Sequence, residues 1–581
     1  MILRVDLSTG TVGTQGVDRS LVERYIGGRG LGAHFLTQWQ VPGTDPLGPD
    51  NPLIFLTGPL TGTNAPTSGR ISLTTKSPLT GSIFDANAGG QFGARLSQLD
   101  ITGLIVTGKA SGPIYLLLSP DGIEIRDAAV LWGLDVPATG EELRKAGAVS
   151  HAVIGQAGER LVKFSSIVVE GGRAFGRGGV GAVMGSKNLK AIAVTGTPAK
   201  HKVQLNDEGL FDFFVYEANK IISANPITSQ ALPQFGTAML VNLMNRAGAF
   251  PARNFQSSSF EDAAKLSGEA ITKRILERRS ACYGCTIACG RKTKTARSSG
   301  EGPEYETVWA LGANLGIADL EAVAEANYLC NRYGLDTIST GVTIAAAMEL
   351  ASSGAADFPL AFGKSETVFD AIEKIARRED YGAELAEGSR AVAAAYNKPE
   401  VALQVKGQEL PAYDPRVLKG QALALATSNR GGCHLRGNML GYEVLGVPKM
   451  VSKATLRGKA GLLIVLQHLF AVLDSLVMCK FSAFALNEEH YARMLSAASG
   501  LQVEAQELLE IGERIWNLER LFNIREGFTR EDDRLPSRVV PDGFEGMLDE
   551  YYRFRGWDGD GVPSPEKLAR LGLREAALDA R

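Results

Sequence analysis

Three cysteines crowd into eight residues, Cys282-Tyr-Gly-Cys285-Thr-Ile-Ala-Cys289, and a fourth, Cys479, stands alone far downstream. A C-x2-C-x3-C run lets three thiolates face one cuboidal 4Fe-4S cluster, with the last ligand supplied from elsewhere in the fold. Cysteine sets also build structural zinc sites, but those more often use two C-x2-C pairs, so the spacing favours the cluster. Cys330 and Cys433 lie apart from any short-range metal pattern and read as buried small hydrophobes. Six cysteines in 581 residues make no disulfide framework, so reduced thiols are expected.

A second chemical signal is the glycine-rich run at residues 171–185, GGRAFGRGGVGAVMG, which offers backbone amides and two guanidinium forks to a phosphate or a polar ring edge. It ends Gly185-Ser186-Lys187, the wrong order for a nucleoside-triphosphate loop. The run Gly28-Arg29-Gly30-Leu31-Gly32-Ala33 matches a loose G-x-G-x-x-A. It follows the helical-looking SLVERYI instead of a strand, which argues against dinucleotide binding. With 61 Lys and Arg against 64 Asp and Glu, no nucleic-acid footprint is expected.

The elements that must position these residues fall into two kinds. Up to about Lys200 short β-type runs such as PLIFLTGPL, ISLTTKSP and PIYLLLSPDG are closed by turn residues. Beyond His201 come long amphipathic helical stretches at 319–332, 337–352, 366–376 and 504–521. An α+β chain follows, with an N-terminal β-rich domain at 1–201 and two mainly helical domains at 202–403 and 404–581. The second boundary rests on the proline-bearing break at 403–416. The most apolar stretch, 460–478, contains Gln467, His468 and Asp474, costly in lipid, so a buried helix and no membrane span are expected. The N-terminus reads as a strand and turn without export features, which points to the cytoplasm.

The blocks GPLTGTNAPTSGR (58–70), TKSPLTG (75–81), ANAGGQFGA (86–94), RAFGRGGVGAVMGSKNLKAIAV (173–194), CYGCTIACG, GPEYETVWALGANLG (302–316), GLDTIST (334–340), RGGCH (430–434) and DSLVMCKF (474–481) resemble, in collinear order over nearly the whole chain, the aldehyde:ferredoxin oxidoreductase family. The resemblance implies a β-rich base carrying two pterins with tungsten or molybdenum between them, closed over by two helical domains. Pterin contacts are then expected at Arg70, Asn87, Gly89, Gly90, Arg173, Ala174, Gly176 and Arg177, with Asn87 and Ala174 beside a Mg2+ that joins the pterin phosphates. A second set is expected at Asn331, Leu335, Asp336, Asp474 and Lys480. Asn331 stands where the family's D-x-x-G-L-D motif begins with Asp, so it brings no charge.

The same resemblance places Glu306 and His434 near the metal as the catalytic pair, with Thr337 and Tyr413 as supporting donors. A carboxylate can take a proton from the oxygen nucleophile and an imidazole can donate to a carbonyl oxygen. The implied reaction is aldehyde oxidation to carboxylic acid. Electrons would leave through the Cys282, Cys285, Cys289, Cys479 cluster to ferredoxin or a ferredoxin-like subunit, in an oligomer or multi-subunit complex. The alternatives are reduction of an aromatic thioester or another carbonyl compound, and a cluster-bearing subunit without catalysis. Some family members bind an intersubunit iron through E-x-x-H; here Glu325 is followed by Tyr328, so no such iron is expected.

Overall fold

A computed structural model describes residues 1–196 and 203–578. The expected boundary at 201/202 lies outside the described residues. The N-terminal strands are β1 (Ile2–Asp6), β2 (Thr11–Gln15), β3 (Leu53–Leu56), β4 (Ile71–Lys76), β5 (Ile83–Ala88), β6 (Gly103–Thr107), β7 (Ile114–Ser119), β8 (Gly122–Asp127), β9 (Ala148–Ile154), β10 (Ile167–Val169), β11 (Arg173–Phe175) and β12 (Leu189–Thr195). They form two six-stranded sheets, in the orders β2-β1-β6-β3-β4-β5 and β11-β10-β9-β12-β7-β8. Each sheet is antiparallel apart from one parallel pair, β1 with β6 and β12 with β7.

Leu3, Val5, Phe55 and Leu73 of the first sheet meet Leu116, Ile154, Val169 and Ile192 of the second in one core. Strands β3 and β4 are buried along their whole length, because the helix Gly28–Trp39 covers their other face. That helix contains the G-x-G-x-x-A run, and its glycines serve packing. A methyl on Gly30 would stand 2.2 Å from the Tyr25 carbonyl oxygen, and one on Gly32 2.2 Å from Thr74 Oγ1.

The rest of the chain is mainly helical, as the β-to-α change in periodicity predicts. The expected helices are found at Leu320–Tyr333, Thr337–Ser352, Ser365–Arg377 and Ala505–Arg525. A small sheet of β13 (Leu276–Ser280), β14 (Gly290–Lys294) and β15 (Ser299–Glu301) interrupts them. The cysteine loop is the connection between β13 and β14, closed by the pairing of Ser280 with Gly290. The break at 403–416 is a buried hairpin, in which Lys406 and Gly407 take the left-handed turn between Gln404–Val405 and Gln408–Glu409.

The apolar stretch forms the helix Lys459–Leu476, long and apolar enough to cross a membrane by composition alone. It packs instead against the helices Ala505–Arg525, Gly28–Trp39 and Phe544–Arg555. Its polar side chains are satisfied by protein: Gln467 Oε1 accepts from Tyr551 Oη at 2.7 Å and Arg555 Nη2 at 2.5 Å, and His468 Nε2 lies 2.7 Å from Arg555 Nη1. Asp474 joins a buried ion network. Arg29 Nε and Nη2 grip Glu519 at 2.6 and 2.7 Å, while Asp474 Oδ2 lies 3.4 Å from Arg29 Nη1 and 2.7 Å from Arg436 Nη1. This network ties the base to the C-terminal helices.

Candidate active site

Between the base and the helices lies a cavity of about 390 Å³. Its base side comes from Arg70 and Asn87, at the rim of neighbouring strands β4 and β5, and from Arg173, Ala174, Gly176 and Arg177 on and after β11. The helical side adds Arg430, Arg436 and Lys480. Six cationic side chains thus converge on one space, with Glu304, Glu306 and Asp474 as the carboxylates facing them.

Each cation is held by neighbouring protein groups. Arg70 Nη2 donates to the Asn87 carbonyl at 2.6 Å, and Arg173 pairs with Glu301 at 3.1 Å and Glu304 at 3.2 Å. Arg177 is held by Asp336 at 3.1 Å and by the Glu409 carbonyl at 2.9 Å. Arg436 pairs with Asp85 at 2.6 Å, and Lys480 bonds Asp474. Arg430 lies over the Phe84 ring, its carbon 4.7 Å from the centroid.

Glu306 sits in the first turn of the helix Tyr305–Leu311, and its Oε2 accepts from Ala412 N at 2.9 Å. His434 opens the short helix His434–Arg436, capped by the Cys433 sulfur, which accepts from Leu435 N at 3.3 Å. His434 Nδ1 and Glu306 Oε1 face each other at 3.6 Å, and neither has a hydrogen-bond partner. Burial pushes the Glu306 carboxyl up to about 8, against the pull of the Ala412 N–H and Arg177. Burial holds the His434 imidazole well below its ordinary value, helped by Arg177 and Arg430. At neutral pH the pair is therefore a protonated acid beside a neutral imidazole. Tyr413 completes this corner, its ring centroid 5.4 Å from that of His434.

Cys282, Cys285, Cys289 and Cys479 line the adjoining part of the same cavity. Burial pushes the Cys285 thiol up to about 11, with the nearby charge of Cys479 adding to it. Burial and then Glu304 raise Cys289, against Arg173. Gly89 lets the backbone approach this group: a methyl there would stand 2.8 Å from Cys282 Sγ. The Gly90 carbonyl accepts from Tyr283 N at 3.0 Å and fixes the cysteine loop to the base.

The residues present fit the groups the resemblance implies. Four thiols around one pocket supply the donor set of an iron–sulfur cluster. The wall beside them carries buried polar atoms without partners, Asn87 Nδ2, Glu306 Oε1, His434 Nδ1 and Arg436 Nε, the state expected of donors and acceptors built for a polar, anionic guest.

Not every expected contact faces this space. Asn331 Nδ2 bonds Asn327 within its own helix at 3.3 Å, and Leu335 is 3% exposed in the core beside Ser165. Asp336 caps the helix Thr337–Ser352 and reaches the cavity only through Arg177. Thr337 Oγ1 is taken by Thr307 at 2.8 Å. The Glu325 carboxylate accepts from Ser298 at 2.6 Å, and Tyr328 Oη shares a hydrogen bond with Thr293 at 2.6 Å.

Cys330 is a core residue, as its sequence context suggests. Cys433 departs from that expectation. It is buried, yet its sulfur lines the cavity and accepts from Arg430 Nη2 at 3.0 Å. Arg430, Arg436 and Arg177 outweigh burial and bring its thiol below the ordinary value. The sequence gives Arg430, in the RGGCH block, and Arg436 no role of their own; the available signal is two arginines within four residues on either side of His434.

Comparison with known proteins agrees with this geometry. The family model "Aldehyde ferredoxin oxidoreductase, N-terminal domain" matches residues 2–196, and "Aldehyde ferredoxin oxidoreductase, domains 2 & 3" matches residues 214–573. Tungsten-containing aldehyde ferredoxin oxidoreductases of Pyrococcus furiosus and Thermococcus kodakarensis are 46% and 45% identical to the chain, covering 99% of it and 98% of their own lengths. Among solved structures, the active-site complex BamBC of benzoyl coenzyme A reductase, in complex with 1,5-dienoyl-CoA, superposes with a TM-score of 0.87 at 25% identity, over 100% of this chain and 97% of that one. With both family models matched, one on each side of the cavity, this chain belongs to the aldehyde ferredoxin oxidoreductase family.

Proposed function

We propose that this chain oxidises aldehydes to carboxylic acids in the cytoplasm and delivers the electrons to ferredoxin or a ferredoxin-like subunit. The observation that carries the reading is the unpartnered pair Glu306 Oε1 and His434 Nδ1, 3.6 Å apart in a cavity walled by six cations and four thiols. Overall, aldehyde and water give the acid, two protons and two electrons. A tungsten or molybdenum bis-pterin would take up the electron pair, and a 4Fe-4S cluster on Cys282, Cys285, Cys289 and Cys479 would release it one electron at a time.

The protein's own work is binding, orientation and proton handling. Arg70, Arg173, Arg177, Arg430, Arg436 and Lys480 would hold the phosphates and ring edges of the pterins. Asn87 and Ala174, which line the wall from the neighbouring strands β5 and β11, are the proposed neighbours of Mg2+. His434, kept neutral by its surroundings, retains one N–H to polarise the aldehyde carbonyl, as a neutral imidazole can. Glu306, pushed up to about 8, exchanges a proton near neutral pH and serves the attacking oxygen. We assign the base to residues 1–201 and the cover to 202–403 and 404–581.

The test is elemental analysis of anaerobically purified protein together with benzaldehyde-dependent dye reduction. About four irons with about one tungsten or molybdenum per chain, and activity lost in Glu306→Gln, is the expected result. Iron without either heavy metal would leave only an electron carrier. The likeness to the benzoyl coenzyme A reductase complex supports a second reading, aromatic thioester reduction with electrons delivered inward. Benzoyl-thioester turnover without aldehyde oxidation would select it.

A further inference from the structure

The chain carries slightly more acidic than basic residues, 64 to 61, but the distribution around the cysteine loop is reversed. Residues 273–297 hold eight Lys or Arg and a single acidic residue, Glu277. Two of the eight are engaged in ion pairs, Arg274 with Glu321 and Lys292 with Glu301, and Arg291 is buried. The other five, Lys273, Arg278, Arg279, Lys294 and Arg297, are exposed and, among the described residues, paired with no carboxylate. Arg278 and Arg279 lie on β13, the edge strand that runs directly into Cys282.

The turn that follows reaches the surface. Ala281, Gly284 and Thr286 are exposed, with Cys282 and Cys285 half-buried between them. Beside the turn, Asn64 Nδ2 donates to Asp212 Oδ1 at 2.7 Å, tying the helix Glu208–Ala224 to the loop that contacts Gly284. That helix exposes Leu210, Phe213 and Tyr216 at 45, 57 and 61%, one stripe at helical spacing. Charges on an edge strand can simply prevent sheet-to-sheet association. That role accounts for neither the uncompensated charge on β14 and beyond nor the aromatic stripe.

We propose that β13, the exposed turn at 281–286 and the stripe Leu210, Phe213, Tyr216 form the docking surface for a small acidic iron–sulfur electron carrier. The inference rests on the four cysteines holding a cluster whose electrons leave the chain. Uncompensated cations steer a negatively charged partner and set its orientation, and an apolar centre gives the contact its core. Docking here puts the carrier against the loop that holds three of the four ligands, where the tunnelling distance is shortest. One electron then passes from reduced cluster to oxidised carrier, with no bond made or broken. A second copy of this chain fits the surface poorly, because a two-fold contact would set the basic strand against itself.

The test compares wild-type holoenzyme with Arg278→Gln/Arg279→Gln, using benzaldehyde with either a viologen dye or a purified acidic 4Fe-4S ferredoxin. Dye-linked turnover should stay within about two-fold, while KM for ferredoxin rises about five- to thirty-fold and its salt dependence flattens. Arg278→Lys/Arg279→Lys should restore KM. An unchanged KM, or a shift in oligomeric state in the Gln variant alone, overturns the assignment, the latter in favour of a second copy. If the wild type fails to oxidise benzaldehyde with dye, it is the aldehyde reading that fails. Docking is then read from stopped-flow oxidation of dithionite-reduced enzyme by ferredoxin, with the same variants and the same expected order.

Discussion

Replacing Glu306 by Gln should abolish turnover and at the same time stabilise the cofactor-free protein, by an amount that grows with pH. In the fold the carboxyl is pushed up to about 8 from an ordinary 4.5, because burial disfavours its charged form. The unfolded chain therefore releases the proton more readily than the folded one at every pH between those values. Wild-type stability falls as pH rises through that window. At 1.36 kcal/mol per unit, the cost is below about 1 kcal/mol at pH 5, about 3 at pH 7 and about 5 at pH 9. A Gln at 306 cannot ionise, and its amide oxygen can still accept from Ala412 N, so no new orphan is created. The assay is urea unfolding of wild type and variant from cells grown without tungstate or molybdate, at pH 5, 7 and 9, beside dye-linked turnover of the loaded enzymes. A stability gap that does not widen with pH would refute the burial argument, and turnover surviving within ten-fold would remove Glu306 from the chemistry, since a lost acid–base group costs about 10²- to 10⁴-fold.

Three further outcomes follow from the same geometry. Glu519→Gln leaves the buried Arg29 guanidinium with only one of its two short contacts of 2.6 and 2.7 Å and without its nearest counter-charge, and should cost about 3 to 5 kcal/mol in thermal or urea unfolding, much of it recovered in Arg29→Met/Glu519→Leu; a loss under about 1 kcal/mol would mean the network tolerates the change. Cys285→Ser should remove most of the roughly four irons per chain, with ferredoxin reduction lost, whereas Cys330→Ser should keep them; equal iron in both variants would return Cys285 to a structural role. Asn331→Asp restores the family's motif, but because Asn331 bonds Asn327 away from the cavity, turnover and pterin content should stay within about two-fold. A larger gain would return Asn331 to the cofactor contacts.

What the sequence determined by itself is the local part. The grouping of the cysteine loop was legible because its three cysteines lie within eight residues, where spacing alone dictates which atoms can share a ligand. The β-rich base and helical cover were legible from the change of hydrophobic period, and the helix at Thr337–Ser352 falls on the predicted residues. The placement of Glu306 and His434 came from the resemblance, since a lone Glu and a lone His carry no period or spacing of their own. Only the tertiary structure decided the rest. The six cations of the cavity wall come from segments as far apart as Arg70 and Lys480, and Arg29 is neutralised by Glu519, 490 residues away. Cys433 reads as a buried small hydrophobe; that Arg430 and Arg436, close in sequence, and Arg177, far from it, all bring charge to its thiol is decided by the fold. Asn331, on the expected motif, turned out to face Asn327. For Arg29 and the cavity wall the deciding quantity is the field or the contact made by residues distant in the chain, and burial is what makes it strong enough to shift a proton.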